Sequence, residues 1–254
     1  SNSILELLFF ALIYRINIMK LCTFPIHFKI MKNIVIAFLL FCTPIVFAQK
    51  DSLNLGDRYA DDQIYLAVSY NQMNQQPSTI TRSGFSYGLS SGFLKDIILN
   101  KKGTFSFALG LGYGFDFYNH KLKVEELNNS TVFSADNTLT SNTYFSHNLE
   151  VPFEIRWRTS TANKYKFWRI YTGVKFLYNF SNHFENVASN EAKTTYSGIS
   201  AYNKLQYGLT LSAGYDAFNF HVFYGLSPIY KDANISNEEI DSKVLKFGLI
   251  FYFL

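Results

Sequence analysis

The chain has 254 residues, of which 48% are apolar and 18% aromatic but only 17% charged. With 18 Tyr, 26 Phe and only 5 Pro, disorder, collagen and coiled coil are excluded and a β-rich fold is favoured. Outside the first 48 residues no apolar run reaches the ~18–20 residues that a helical span of a bilayer requires.

The N-terminal region reads as a targeting segment. Met31-Lys32-Asn33 is a short basic start, Ile34 to Phe41 an apolar core, and Val46-Phe47-Ala48 supplies the small residues of a signal-peptidase site. Residues 31–48 are therefore expected to be a signal peptide and residues 1–30 an upstream extension, the alternative being an N-terminal anchor helix. Cys42 hints at a lipoprotein signal, but the large Phe41 before it argues against one. Cleavage after Ala48 leaves 206 of the 254 residues and no cysteine, because Cys22 and Cys42 lie upstream. Disulfide and thiol chemistry are then excluded from the mature chain. Removing four of the 23 basic residues and one of the 19 acidic ones leaves 19 and 18, a balance that gives no reason to expect nucleic acid. Residues 49–61 are expected to be a periplasmic segment ahead of a barrel over 62–254.

From there one signal dominates, a period of two. Phe105, Phe107, Leu109, Leu111, Tyr113, Phe115 and Phe117 alternate with Ser106, Ala108, Gly110, Gly112, Gly114 and Asp116, which in a strand puts bulky apolar groups on one face and small or polar groups on the other. The pattern recurs at Leu205–Leu211, at Phe218–Tyr224 and in the closing run Leu245 to Phe253. It predicts eight strands: Gln63–Asn71, Gly84–Leu94, Thr104–His120, Asn142–Arg158, Phe167–Asn182, Tyr202–Tyr215, Phe218–Tyr230 and Lys243–Leu254. The connections Gln72–Ser83, Lys121–Ser141, His183–Ala201 and Lys231–Ser242 are polar and mostly long. Lys95–Gly103, Thr159–Lys166 and Asp216–Ala217 are shorter. An even strand count with alternating long and short connections is the pattern of an all-β, eight-stranded antiparallel transmembrane up-and-down β-barrel, located in the outer membrane with both termini periplasmic. A soluble barrel of lipocalin type would turn its bulky residues inward. One strand alone supplies seven of them, too many for an eight-strand interior, so lipid is the better solvent, and barrel closure leaves no unpaired backbone in it.

Within the fourth predicted strand Leu149, Val151, Phe153, Ile155 and Trp157 take one face and Glu150, Glu154, Arg156 and Arg158 the other; the fifth sets Arg169 and Lys175 opposite Ile170, Val174 and Phe176. A lumenal charge network of Glu150, Glu154, Arg156, Arg169 and Lys175 is expected, with Lys204 and Asp116 as further members, because an unpaired buried ion is costly. Its bland role is to fill and rigidify the barrel. Trp157 and Trp168 flank a short turn, where they would be membrane-interface anchors. Pro152 removes a ladder donor and predicts a bulge or local opening.

Catalytic and metal signatures do not survive inspection. Gly88-Leu89-Ser90-Ser91-Gly92 fits G-x-S-x-G but lies within an alternating strand rather than at a strand-to-helix turn. His120, His147 and His183 fall near loops and His221 faces the lumen, without metal-ligand spacing. Gly110, Gly112 and Gly114 lack a dinucleotide fingerprint. No enzyme activity, cofactor or metal is expected.

Asp61-Asp62-Gln63-Ile64-Tyr65-Leu66, Gly92-Phe93-Leu94-Lys95-Asp96, Leu149-Glu150-Val151-Pro152-Phe153-Glu154-Ile155-Arg156-Trp157-Arg158 and Tyr165 to Gly173, with the ending Gly248 to Leu254, resemble the PorT (SprT) family of Bacteroidetes outer-membrane barrels. The likeness covers essentially the whole mature chain and is most specific from Leu149 to Gly173. It implies a part in the type IX protein secretion system, and in gliding motility where that occurs, with other type IX components and outer-membrane lipid as partners and no catalytic residues. A scaffold or assembly factor is the first reading. The alternative is a surface-binding, adhesin-like barrel using the loops Lys121–Ser141 and His183–Ala201. A lipid-modifying barrel enzyme comes third, for want of a Ser/His/acid set. The oligomeric state is not legible.

Overall fold

The computed structural model describes residues 62–253 apart from 78–79, 81–83, 101, 128–129, 136–138, 160–167, 217 and 236–237. The upstream extension, the signal peptide and the segment 49–61 lie outside the described residues. Thirteen strands follow in order: β1 (Gln63–Asn74), β2 (Tyr87–Ile98), β3 (Phe105–Asn119), β4 (Leu122–Leu127), β5 (Ser130–Ala135), β6 (Ser141–Arg158), β7 (Trp168–Val187), β8 (Lys193–Ser197), β9 (Leu205–Tyr215), β10 (Phe218–Gly225), β11 (Asn234–Ile235), β12 (Glu238–Glu239) and β13 (Lys243–Phe253).

Eight of these form a closed antiparallel wall in the order β1-β2-β3-β6-β7-β9-β10-β13, the last strand pairing with the first. No described residue is helical. Followed laterally from Tyr65 through Gly92, Gly112, Glu150, Leu177 and Gln206, the register climbs steadily. Continued through β10 and β13 it regains β1 about ten residues further along, a stagger that tilts the strands by roughly 40°. One end of the wall carries the short turns and both barrel termini. The other carries the long connections.

The side chains divide as the alternation predicts. Ile64, Leu66, Phe93, Leu109, Leu111, Leu209, Leu211, Phe220 and Phe247 face outward and are exposed, while Tyr65, Ala67, Ala108, Ser106, Ser212 and Ile250 between them are buried. The large apolar groups thus coat the exterior, where only hydrocarbon could cover them.

Several predicted limits shift. β2 runs to Ile98, so its turn to β3 is shorter than Lys95–Gly103, and β10 stops at Gly225 rather than Tyr230. β7 continues to Val187, and the stretches expected to be plain polar loops hold β4, β5, β8, β11 and β12. The Pro152 expectation splits in two. The β3–β6 ladder lacks pairs between Leu109↔Phe153 and Gly112↔Glu150, an opening on the side of the missing amide, but its register is unbroken. The bulge lies elsewhere: register slips at His147/Asn148, leaving Phe180 of β7 as an extra residue. Odd-numbered positions of β7 face inward below it (Tyr171, Lys175, Leu177, Asn179) and even-numbered ones above it (Asn182, Phe184, Asn186).

Candidate functional site

Three layers fill the barrel interior. Nearest the turns, Asp96 of β2 faces two guanidiniums of β6, with Arg158 Nη2 at 2.9 Å and Arg156 Nη1 at 3.6 Å. Arg156 Nε also donates to Glu154 at 3.0 Å, and its guanidinium lies 4.6 Å from the Tyr171 ring. Arg158 Nε donates to the carbonyl of Gly103 in the β2–β3 turn at 2.9 Å. Arg169 is buried, 5.7 Å from the Tyr252 ring.

In the middle layer Lys175 Nζ lies 2.9 Å from Glu150 Oε2, and the Tyr65 hydroxyl donates to the same oxygen at 3.1 Å. Glycines on β3 make this possible. A Cβ at Gly112 would overlap the Tyr65 hydroxyl, and one at Gly114 would come within 2.6 Å of Glu150 Oε1. Alongside, Ser212 Oγ and His221 Nδ1 are 2.7 Å apart, and the Tyr252 hydroxyl donates to Ser212 at 3.3 Å. Higher still, Lys246 Nζ donates to both oxygens of Asp116 at 2.7 Å. Asn71 and Asn148 complete that carboxylate's shell at 2.9 and 3.0 Å. One acid therefore ties β3 to β1, β6 and β13. Between these pairs remains a cavity of about 20 Å³, lined by Asp116, Glu150, Lys175, His221 and Lys246, with room for one water.

Sequence reasoning named Glu150, Glu154, Arg156, Arg169, Lys175 and Asp116, and all are buried in the lumen. Lys204 is a correction: it is exposed, lying just before β9 at the loop end. Asp96 and Lys246 were missed. Asp96 had been assigned to a turn, whereas Lys246 was legible as the one polar residue between Leu245 and Phe247.

The third layer is an apolar cap at the loop end. Tyr118, Tyr144 and Phe184 stack in parallel, with centroids 4.8 and 4.7 Å apart and interplanar angles of 8° and 7°. The Tyr144 and Tyr202 hydroxyls meet at 2.6 Å, and Leu122, Val124, Ile199, Ile229, Tyr230 and Ile235 pack around them from the connections. His120 is fully buried among these rings, and that burial lowers its pKa to about 4. Two loops are clasped above the cap. Thr131 Oγ1 donates to Glu126 Oε2 at 2.7 Å, and the Ser200 amide donates to the same oxygen at 3.3 Å. Burial would raise the Glu126 pKa, but these bonds outweigh it and lower it.

The outer surface carries two aromatic girdles. Trp157, Trp168 and Tyr215 lie at the turn end, with Trp168 and Tyr215 in edge contact at 5.5 Å. Tyr113, Tyr178, Tyr207 and Tyr224 are exposed toward the other end. Trp168 to Tyr178 and Tyr207 to Tyr215 are roughly eight to ten residues apart, which at ~3.3 Å per residue and ~40° of tilt spans ~20–25 Å, the height of an outer-membrane apolar band.

Among the described residues no group of three or more His, Cys, Asp or Glu could hold a metal ion. The G-x-S-x-G match lies inside β2.

Comparison with known proteins fits this architecture. The sequence matches no curated protein. Among solved structures it is similar to Ail, the attachment invasion locus protein of Yersinia pestis, at 12% identity, over 75% of this chain and 96% of that one, with a TM-score of 0.33. Residues 47–231, well over half of the chain, match the family described as outer membrane protein beta-barrel domain. The chain belongs to that family and is an outer-membrane β-barrel whose exposed apolar wall contacts membrane lipid.

Proposed function

We propose that this barrel is a non-enzymatic scaffold or assembly component of the type IX secretion machinery, with its turn end and termini in the periplasm. The observation that carries the scaffold reading is the filled lumen. A cavity sized for one water, under an aromatic stack, leaves no route for a polypeptide, so any role in export is exerted through surfaces. The secretion assignment itself rests on the resemblance strongest over Leu149–Gly173, a run that supplies Glu150, Glu154, Arg156 and Arg158 to the lumen. Docking to other components would use the short turns or the segment 49–61, of which 160–167 and 49–61 lie outside the described residues. In this reading the lumenal ion pairs rigidify the wall, and Trp157 and Trp168 fix its depth at the periplasmic headgroups. Deletion of the gene should abolish export of type IX cargo while other outer-membrane proteins remain in place; normal export would remove the assignment.

A second reading, a surface-binding barrel, is favoured by one feature: the Glu126–Thr131–Ser200 clasp holds two loops in a fixed relation, as a rigid binding platform requires. Trimming Lys121–Ser141 would then cost ligand binding and spare secretion.

A further inference from the structure

The apolar coat of the wall is not of even height. Opposite the closure, β3 turns bulky apolar residues outward without interruption from Phe105 to Phe117, and β6 does so from Phe145 to Trp157 with His147 as the one polar member. Each run covers about twelve residue steps, which at ~3.3 Å per residue and ~40° of tilt is an axial height of ~30 Å. Where the first and last strands meet, the coat is lower. The outward run of β1 from Ile64 to Tyr70 covers about six steps, ~15 Å. Leu245 to Phe253 on β13, and Phe218 to Leu226 on and just after β10, cover about eight each, ~20 Å.

Polar groups close the short runs. Beyond Tyr70 the next outward residue is the exposed Gln72, and beyond Leu245 it is Lys243, paired with Asp241 at 2.8 Å. Below Ile64, Asp62 accepts the Asp96 amide at 3.0 Å and pairs with the exposed ammonium of Lys95. β2, which carries Lys95, is the transition, since the exposed Ile97 and Leu99 continue below that pair on the side of β3. Register places the two faces on one scale. Each step along the ladder from β1 to β6 raises the level by about one and a quarter residues, the stagger of about ten shared among eight strands. Ile64 therefore stands level with Ile155, and Tyr70 with Leu149. The first of each pair is the last apolar residue of its run; the second has further bulky residues beyond it.

We infer that the face formed by β10, β13 and β1 is a site of local bilayer thinning, where membrane lipid compresses to meet a band ~10 Å shorter than that of the opposite face. A bilayer of even thickness would draw Asp62, Lys95 and Gln72 into hydrocarbon, and deforming lipid costs less than burying those groups. Lipid is the occupant because this face is continuous on both flanks with the wall that contacts lipid. Every outward position between its edges is apolar or Tyr, with Leu66, Val68, Val222, Phe247 and Leu249 exposed. The inference depends neither on the secretion reading nor on the orientation of the barrel.

Depth quenching tests it in the full chain carrying Cys22→Ser and Cys42→Ser, with one bimane-labelled cysteine from Ile64→Cys, Tyr70→Cys, Ile155→Cys or Leu149→Cys, in dioleoylphosphatidylcholine vesicles. Heat-induced mobility shift on gels verifies that each variant is a folded barrel, and Phe253→Cys or Leu245→Cys at the edges of the β13 run serves in place of a β1 variant that fails. The ratio of quenching by lipid nitroxide-labelled near the headgroup to quenching by lipid labelled near the acyl end is the readout. It should be about twofold or more greater at Ile64→Cys than at Ile155→Cys, and likewise at Tyr70→Cys than at Leu149→Cys. Equal ratios within the pairs would mean an even band. A difference in one pair alone, or of opposite sign in the two, would mean a tilted barrel in a flat bilayer. Quenching by neither lipid at Ile64→Cys and Tyr70→Cys would place a second copy of the chain on this face. Each of these results would overturn the proposal.

Discussion

Asp116 and Lys246 stand 130 positions apart in sequence, yet the ammonium lies 2.7 Å from both carboxylate oxygens inside the barrel. The pair joins β3 to β13 through the lumen. Both partners are buried, so removing one strands the other in a low-dielectric interior. Asp116→Asn or Lys246→Met should each destabilise the barrel by roughly 3–5 kcal/mol, and the double variant should recover part of the loss. Urea unfolding in lipid vesicles measures all three; a double variant as weak as the sum of the singles would show that the two residues do not act as a pair.

The acids of β6 make a parallel case. Glu150 accepts from Lys175 and Tyr65, and Glu154 from Arg156. Replacing both acids by Gln leaves Lys175 and Arg156 without those countercharges. Heat resistance on semi-native gels should fall, and an unchanged transition would count against a structural network.

Gly112 offers a steric test. A methyl group there would meet the Tyr65 hydroxyl, so Gly112→Ala should expel Tyr65 from Glu150 and cost ~1–3 kcal/mol, as overpacking does. Tyr65→Leu in the same chain shortens the intruding group and should restore much of the loss, as seen by thermal denaturation.

Only two tryptophans occur in the chain, and both are exposed at the turn end. Intrinsic tryptophan fluorescence therefore reports on that girdle alone. Lipids brominated near the headgroup should quench it more strongly than lipids brominated near the acyl terminus. The reverse order would move Trp157 and Trp168 out of the interfacial zone.

His120 makes the cap acid-sensitive. Its folded-state pKa of about 4 lies below the ordinary 6.5, so between these values the unfolded cap binds more protons than the folded one. Stability is then fully present above pH ~6.5 and declines as pH falls toward 4, by up to ~3 kcal/mol. Protection factors at Tyr118–Val124, exchange rates taken relative to the intrinsic rate at each pH, should fall across that window, and in His120→Phe the fall should vanish.

The wall and its orientation were legible because the period of two ran unbroken through Phe105–Phe117 and sorted bulky from small or polar residues there without exception, and Leu245, Phe247, Leu249, Phe251 and Phe253 kept the same spacing at the end of the chain. The inward charges of β6 followed from the same alternation. What escaped was the loop end. Tyr118, Tyr144, Phe184, Tyr202 and Tyr230 converge from five distant stretches, and their average surroundings in sequence are polar, so no local window reveals a core. Phe184 was doubly hidden, since the extra residue Phe180 inverts the parity of β7 and places it on what unbroken alternation marks as the outer face. Pro152 signalled an opening correctly, but a missing amide carries no information about where a bulge will fall.

Closure of the wall by β13 against β1 has a consequence for biogenesis. The first strand waits for β13, so the cylinder can seal only once that strand has been delivered. A nonsense codon before Lys243 would leave two bare rows of peptide groups facing hydrocarbon, and such a product should be degraded by periplasmic proteases rather than accumulate as a shortened pore.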